Sequence, residues 1–252
     1  MWGRNWTLLR RTRNVKIDII LPKENKKMIS ALFFLMKYKN ILFDFDGTLA
    51  DTREGILRTV QGTLERMGLA PADPAEVVKT IGLPLTECFR RATSTPESRI
   101  EEAAQVYRDI FPMLALDHIT RFDGVLETLG ELRSRGMVMA IVSSRHHISL
   151  DPLVEQLGII SFIPLSQVYG EDERLRPKPA PDLALSILKE MQLEASETLV
   201  VGDTVYDLMM GSAAGCHTCG VTYGNQGREQ LATASPNYII DRFPNLLSLI
   251  EN

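Results

Sequence analysis

Residues 40–51 read Asn40-Ile41-Leu42-Phe43-Asp44-Phe45-Asp46-Gly47-Thr48-Leu49-Ala50-Asp51. The stretch opens as a continuous apolar run with no polar alternation, the pattern of a strand buried on both faces of a parallel sheet. It ends in two acids spaced two apart. At a strand end Asp44 and Asp46 point the same way and repel each other, a repulsion that a divalent cation relieves. Gly47 permits the sharp turn that follows. A polar strand cap before a turn accounts for the same residues, so the pair becomes a site only if other strand ends converge on it.

The flanking sequence supplies a rhythm. Residues 52–119 hold no strand-like run but several helical ones. Ile56, Val60, Leu64 and Met67 recur every three or four residues, and Gly68 ends that helix. Pro74, Pro84 and Pro96 stand where further helices start, and Glu101–Phe111 makes another. Residues 52–120 are therefore expected to be an all-helical cap, inserted between 36–51 and 121–252 of a core. In the core a helix is expected over 124–135, a strand over 137–142 and a helix over 150–157. A short strand should lie within 161–168, followed by a helix over 181–191 and a strand over 198–201. A helix over 206–214 and a strand over 217–222 come next, and 238–240 and 244–250 close the chain. This alternation predicts an α/β fold, a doubly wound, Rossmann-like parallel sheet, with ligands beyond the carboxyl ends of the strands.

Those ends carry chemistry in order. Ser143-Ser144 follow the second strand, where hydroxyls and helix-start amides bind phosphate oxygens, although Ser at a helix start is also an ordinary N-cap. Arg176-Pro177-Lys178-Pro179-Ala180-Pro181-Asp182 follows, its prolines fixing where the Lys178 ammonium points; a rigid surface loop is the alternative. Gly202-Asp203-Thr204-Val205-Tyr206-Asp207 places two acids four apart on one helix face, or simply at a helix N-terminus that favours acids.

Taken together, acid pair, hydroxyl, lysine and acid pair resemble the four motifs of the haloacid dehalogenase superfamily, over residues 40 to about 245, and within it the phosphoglycolate phosphatase group. The resemblance implies that Asp44 is a nucleophile forming an aspartyl-phosphate and that Asp46 is the general acid, then base. An acid at position 46 points to phosphoryl transfer rather than dehalogenation, because a halide leaves without a proton. The resemblance further implies Mg2+ held by Asp44, the backbone carbonyl of Asp46 and Asp203, with Asp207 acting through water or by orienting neighbours. Lys178 becomes the cation beside nucleophile and phosphate, and Ser143 with the Ser144 amide holds the phosphate oxygens. The cap turn Gly82-Leu83-Pro84-Leu85 falls where relatives contact substrate, and 50–53 and 122–124 fall where they hinge. The departures are modest. Asp123 replaces a Pro frequent at the second hinge, Ser143-Ser144 replaces Thr-Asn, and loop 163–170 is less typical.

The expected activity is thus a Mg2+-dependent phosphatase acting on a small phosphorylated metabolite such as 2-phosphoglycolate. Pyrophosphate, a nucleoside monophosphate or a phosphosugar mutase reaction are the enzymatic alternatives. A non-catalytic phosphate-binding module is disfavoured by the intact Asp44, Asp46, Lys178 and Asp203 set. Other features read as structural. Cys216-His217-Thr218-Cys219 has no second Cys pair to complete a zinc site and reads as packing. His146-His147 and Glu171-Asp172-Glu173 read as solvated, and Arg53 and Arg90 either meet a substrate carboxylate or, the simpler reading, are surface arginines.

Composition agrees. The chain of 252 residues is 44% hydrophobic and 24% charged, which excludes wholesale disorder. Its longest apolar run, 31–36, is far short of the ~20 residues of a membrane span. Three cysteines point to a reducing cytoplasm. Residues 1–39 carry a net charge of +8 and the remainder −12, so no basic stripe marks the body as a nucleic-acid binder. Neither a nucleic-acid nor a membrane partner is expected, and the assembly should be a monomer or homodimer. Residues 1–35 read as a basic, poorly ordered extension. It is either an organelle-targeting segment or a start-site artefact with translation opening at Met36, the reading favoured because the first strand follows so closely.

Overall fold

The computed structural model describes residues 36–250; the expectation for residues 1–35 lies outside them. Eight strands occur among the described residues. They are β1 (Asn40–Phe43), β2 (Ala50–Asp51), β3 (Thr120–Arg121), β4 (Val138–Val142), β5 (Val168–Tyr169), β6 (Thr198–Gly202), β7 (His217–Val221) and β8 (Tyr238–Ile240). Six form one sheet in the order β5-β4-β1-β6-β7-β8, and every pairing is parallel. The chain crosses from β1 to β4 on one side and to β6 on the other, so β1 is the point where the winding reverses and where such sheets open a ligand crevice.

β1 explains itself from its sequence. Ile41 and Phe43 enter one apolar layer with Met139, Ile141, Leu199 and Val201, while Leu42 enters the opposite layer with Ala140, Val142 and Val200. A strand covered on both faces must be apolar throughout. In register, Phe43 lies opposite both Ile141 and Val201, so the three central strands end side by side. The Asp44 amide donates to Val201 O at 2.9 Å and the Ser143 amide to Tyr169 O at 2.9 Å.

Between β2 and β3 the chain is helical, with α1 (Arg53–Arg66), α2 (Pro74–Val78), α3 (Leu85–Ala92) and α4 (Ile100–Leu114). Pro74 opens α2 behind an Asp73 side chain that accepts from the Ala75 amide at 2.8 Å, and Pro84 immediately precedes α3. α4 buries Ile100, Ala103, Ala104, Tyr107, Ile110 and Phe111, a stripe at helical spacing, and packs against α1. β2 and β3 pair antiparallel, Ala50 with Arg121 and Asp51 with Thr120. Both connections to this helical segment therefore run through one two-stranded ribbon.

The remaining helices are α5 (Val125–Ser134), α6 (His147–Gln156), α7 (Asp182–Met191), α8 (Val205–Ala213), α9 (Arg228–Ala232) and α10 (Leu247–Ile250). One element departs from expectation. Residues 161–168 were expected to hold a strand, but single 3-10 turns occupy 159–161 and 165–167, and β5 is confined to Val168–Tyr169. Pro164 stands between the two turns; lacking an N–H, it cannot contribute a ladder bond there. None of the described helices is long and apolar enough to cross a membrane.

Candidate active site

Lys178 organises the crevice. Its ammonium donates to Asp44 Oδ1 at 2.7 Å, Asp207 Oδ1 at 2.6 Å and the Val142 carbonyl at 2.8 Å, which uses all three of its donors. Only 3% of the residue is exposed. Burial opposes its charge, yet Asp207 and Asp44 outweigh that and hold the ammonium above the ordinary lysine range.

Asp207 is fixed by the start of α8. Its Oδ2 accepts from the Thr204 amide at 3.1 Å and the Thr204 hydroxyl at 2.6 Å, and the Asp207 amide donates back to Thr204 Oγ1 at 3.4 Å. This is a capping box. Asp203, at the end of β6, accepts on Oδ2 from the Asn225 amide at 2.6 Å and from its side-chain Nδ2 at 2.8 Å. Burial, reinforced by Asp207, pushes the Asp203 carboxyl up to about 7. Burial pushes Asp44 up as well, with Lys178 opposing.

Two carboxylate oxygens in this group, Asp44 Oδ2 and Asp203 Oδ1, are buried without any hydrogen-bond partner. Oxygens of Asp44, Asp203 and Asp207 lie within 4.8 Å of one another. Three buried acids facing one lysine, with unsatisfied oxygens, fit a hard divalent cation and its all-oxygen ligand preference. The Asp46 carboxylate is not part of that cluster. It turns to Arg145, whose Nε donates to Asp46 Oδ2 at 3.1 Å and whose Nη2 donates to Oδ1.

Gly47 lets these pieces meet. Its φ is +87°, and a Cβ there would stand 2.1 Å from Asp203 Oδ2. Its amide closes the turn onto the Ala50 carbonyl at 2.8 Å.

A cleft opens beside Asp44 and Asp46, and Ser143, Ser144 and Gly82 line it. Ser143 Oγ accepts from the Arg145 amide at 3.1 Å. Ser144 Oγ donates to the Gly82 carbonyl at 2.8 Å, which ties the helical segment's turn to the sheet. Gly82 has φ +99°.

The sequence-predicted residues Asp44, Asp46, Lys178, Ser143, Ser144, Gly82, Asp203 and Asp207 thus gather at one end of the sheet. Arg145 and Asn225 escaped the sequence reading. Nothing local marks either one, since their partners Asp46 and Asp203 are distant in the chain. Glu171 corrects an expectation, for it lines the cleft and is half-buried rather than solvated, and burial raises its carboxyl above the usual range. His147 is also held on both sides. Its Nε2 accepts from the Gly170 amide at 3.1 Å and its Nδ1 meets Asp151 at 2.9 Å, while His146 caps α6 through the Ile148 amide.

Arg90 is taken up by Glu87 and Glu97. Arg53 donates to the Gly224 carbonyl at 2.9 Å and to Asn225 Oδ1 at 3.4 Å, away from the cleft. Cys216 and Cys219 are buried in the apolar layers, with burial pushing their thiols up to about 11 and about 12.

Comparison with known proteins extends this picture. The sequence profile described as haloacid dehalogenase-like hydrolase matches residues 41–221. A 5'-nucleotidase of Pseudomonas aeruginosa is 31% identical over 217 residues, covering 86% of this chain and 97% of that protein. A phosphoglycolate phosphatase of Pectobacterium atrosepticum is 30% identical over 221 residues, covering 86% and 94%. Among solved structures, a haloacid dehalogenase-like family hydrolase of Streptococcus pneumoniae superposes with TM-score 0.76 at 24% identity, over 84% of this chain and 98% of that one, a likeness of fold.

Proposed function

Because the chain belongs to the haloacid dehalogenase-like hydrolase family and is a phosphatase within it, we propose that it hydrolyses a small phosphomonoester, 2-phosphoglycolate among them, with Mg2+ bound. One observation carries this reading: Asp44, Lys178, Asp203 and Asp207 converge while Asp44 Oδ2 and Asp203 Oδ1 are left without partners.

In this reading residues 36–51 and 121–252 are the catalytic core and 52–120 the cap. Asp44 is the nucleophile. Lys178 fixes its Oδ1, leaving Oδ2 free of hydrogen bonds. Attack forms the Asp44–phosphorus bond as the bond to the leaving alkoxide breaks, and Asp46 gives that oxygen its proton. Water then attacks the aspartyl-phosphate, Asp46 takes the water's proton, and phosphate departs with Asp44 restored. Ser143 and the Ser144 amide hold the phosphoryl oxygens, and Lys178 offsets part of their charge. Asp44, Asp203 and the Asp46 carbonyl, with Asp207 behind them, would hold Mg2+. When bound, Mg2+ neutralises acids and phosphate alike and polarises the phosphoryl group.

Phosphate release from p-nitrophenyl phosphate tests the reading directly. Turnover should require Mg2+ and stop with EDTA. Asp44→Asn should lose at least about 1,000-fold in kcat while its melting transition stays cooperative. A near wild-type rate in that variant would end the nucleophile assignment.

A further inference from the structure

Cationic and aromatic side chains share the cleft wall with the acids and with apolar Ile56, Ile81, Leu83 and Leu85: α4 lends Tyr107, Arg108 and Phe111, and the approach to α6 lends Arg145 and His146. Arg145 joins Asp46 to the aromatic part of that wall. Its guanidinium carbon lies 4.7 Å from the centre of the Phe111 ring, its side chain is 7% exposed, and its fork engages both oxygens of Asp46.

This arrangement contains a conflict. A guanidinium is charged at every working pH, and a buried one deprived of its carboxylate is strongly disfavoured. The proposed reaction nevertheless needs an Asp46 oxygen turned to the leaving group, and Arg145 occupies both. A substrate that brings a carboxylate of its own resolves the conflict, because the guanidinium can exchange one carboxylate for another with the same two-pronged geometry.

We propose that Arg145 is the specificity residue for the leaving group: it passes from Asp46 to a carboxylate on the substrate, so that Asp46 is released preferentially for leaving groups carrying that charge. The inference rests on the phosphatase reading above. Arg108 is half-buried in the same wall and near enough to His146 and Glu171 to act on both, giving a second cation for the incoming group. Glu171 is the acid on that wall, and the cation of Arg108 faces it.

Three two-carbon phosphomonoesters of matched size provide the test. They are 2-phosphoglycolate with a carboxylate, ethyl phosphate with no charge, and phosphoethanolamine with an ammonium. The wild type should favour 2-phosphoglycolate over ethyl phosphate in kcat/KM by on the order of 100-fold, with phosphoethanolamine poorest. Arg145→Met should shrink the first ratio to below about tenfold, and Arg108→Met should lower it by a smaller factor. Partial misfolding scales both rates alike and leaves the ratio unmoved. Should Arg145→Met not fold, Arg145→Lys, which keeps the charge and loses the fork, takes its place with an intermediate ratio expected. A wild-type ratio near one, or an unchanged ratio in the Arg145 variant, overturns the inference while leaving the phosphatase reading intact. No turnover of any phosphomonoester, p-nitrophenyl phosphate included, overturns both.

Discussion

Lys178 is fully committed, with each ammonium hydrogen directed at a different acceptor. The free valences of the site therefore lie on oxygens, at Asp44 Oδ2 and Asp203 Oδ1. The pairing of β1 with β6 brings those two acids near each other, and Gly47 lets the turn after Asp46 lie against Asp203. Replacing it by Ala imposes a positive φ on a residue with a Cβ and drives that Cβ to 2.1 Å from Asp203 Oδ2. Gly47→Ala should lose roughly 1–3 kcal/mol of stability and most of its Mg2+ affinity. Urea denaturation read alongside a Mg2+ titration of activity checks both. A variant with wild-type metal dependence would contradict the role given to this turn.

At the scale of the element, α8 does two jobs with one motif. Its capping box satisfies the helix start and also aims Asp207 Oδ1 at Lys178. Thr204→Val keeps the shape, removes the hydroxyl, and should cost about 1 kcal/mol. The Mg2+ concentration for half-maximal turnover should rise in step, because Lys178 loses a fixed partner. A shift in denaturation midpoint without any change in metal requirement would separate the two jobs. Elements of this kind were legible in the sequence, since apolar runs ending in Asp44, Ser143 and Asp203 announce strands and their polar tips. What stayed hidden depends on distant chain segments meeting. Arg145 reads as an ordinary cation until α4 supplies Phe111 to lie beneath it. Asn225 carries no local mark until its amide finds Asp203. Glu171 lies in a run of three acids that looks solvated until the cleft closes around it, and Pro164 converts an apolar stretch into turns.

For the whole molecule, the concentration of buried acids sets the pH response. Asp203 titrates at about 7 in the metal-free fold against an ordinary 3.8, and Asp44 moves in the same direction. A carboxyl with a raised folded-state value stabilises the fold below its ordinary range, and that contribution is lost as pH rises through about 7. In EDTA the melting temperature should therefore fall between about pH 4 and pH 7, and added Mg2+ should raise it most at the upper end. A metal-free melting temperature that is flat or climbs across this range would contradict the burial argument. The ribbon of β2 and β3 has a further mechanical consequence. Because the chain leaves and re-enters the sheet layer through neighbouring, mutually bonded strands, both covalent connections of the helical excursion lie on a single line. A rotation about that line that parts Tyr107 from Asp46 must also break the Ser144–Gly82 hydrogen bond and lift Phe111 from Arg145.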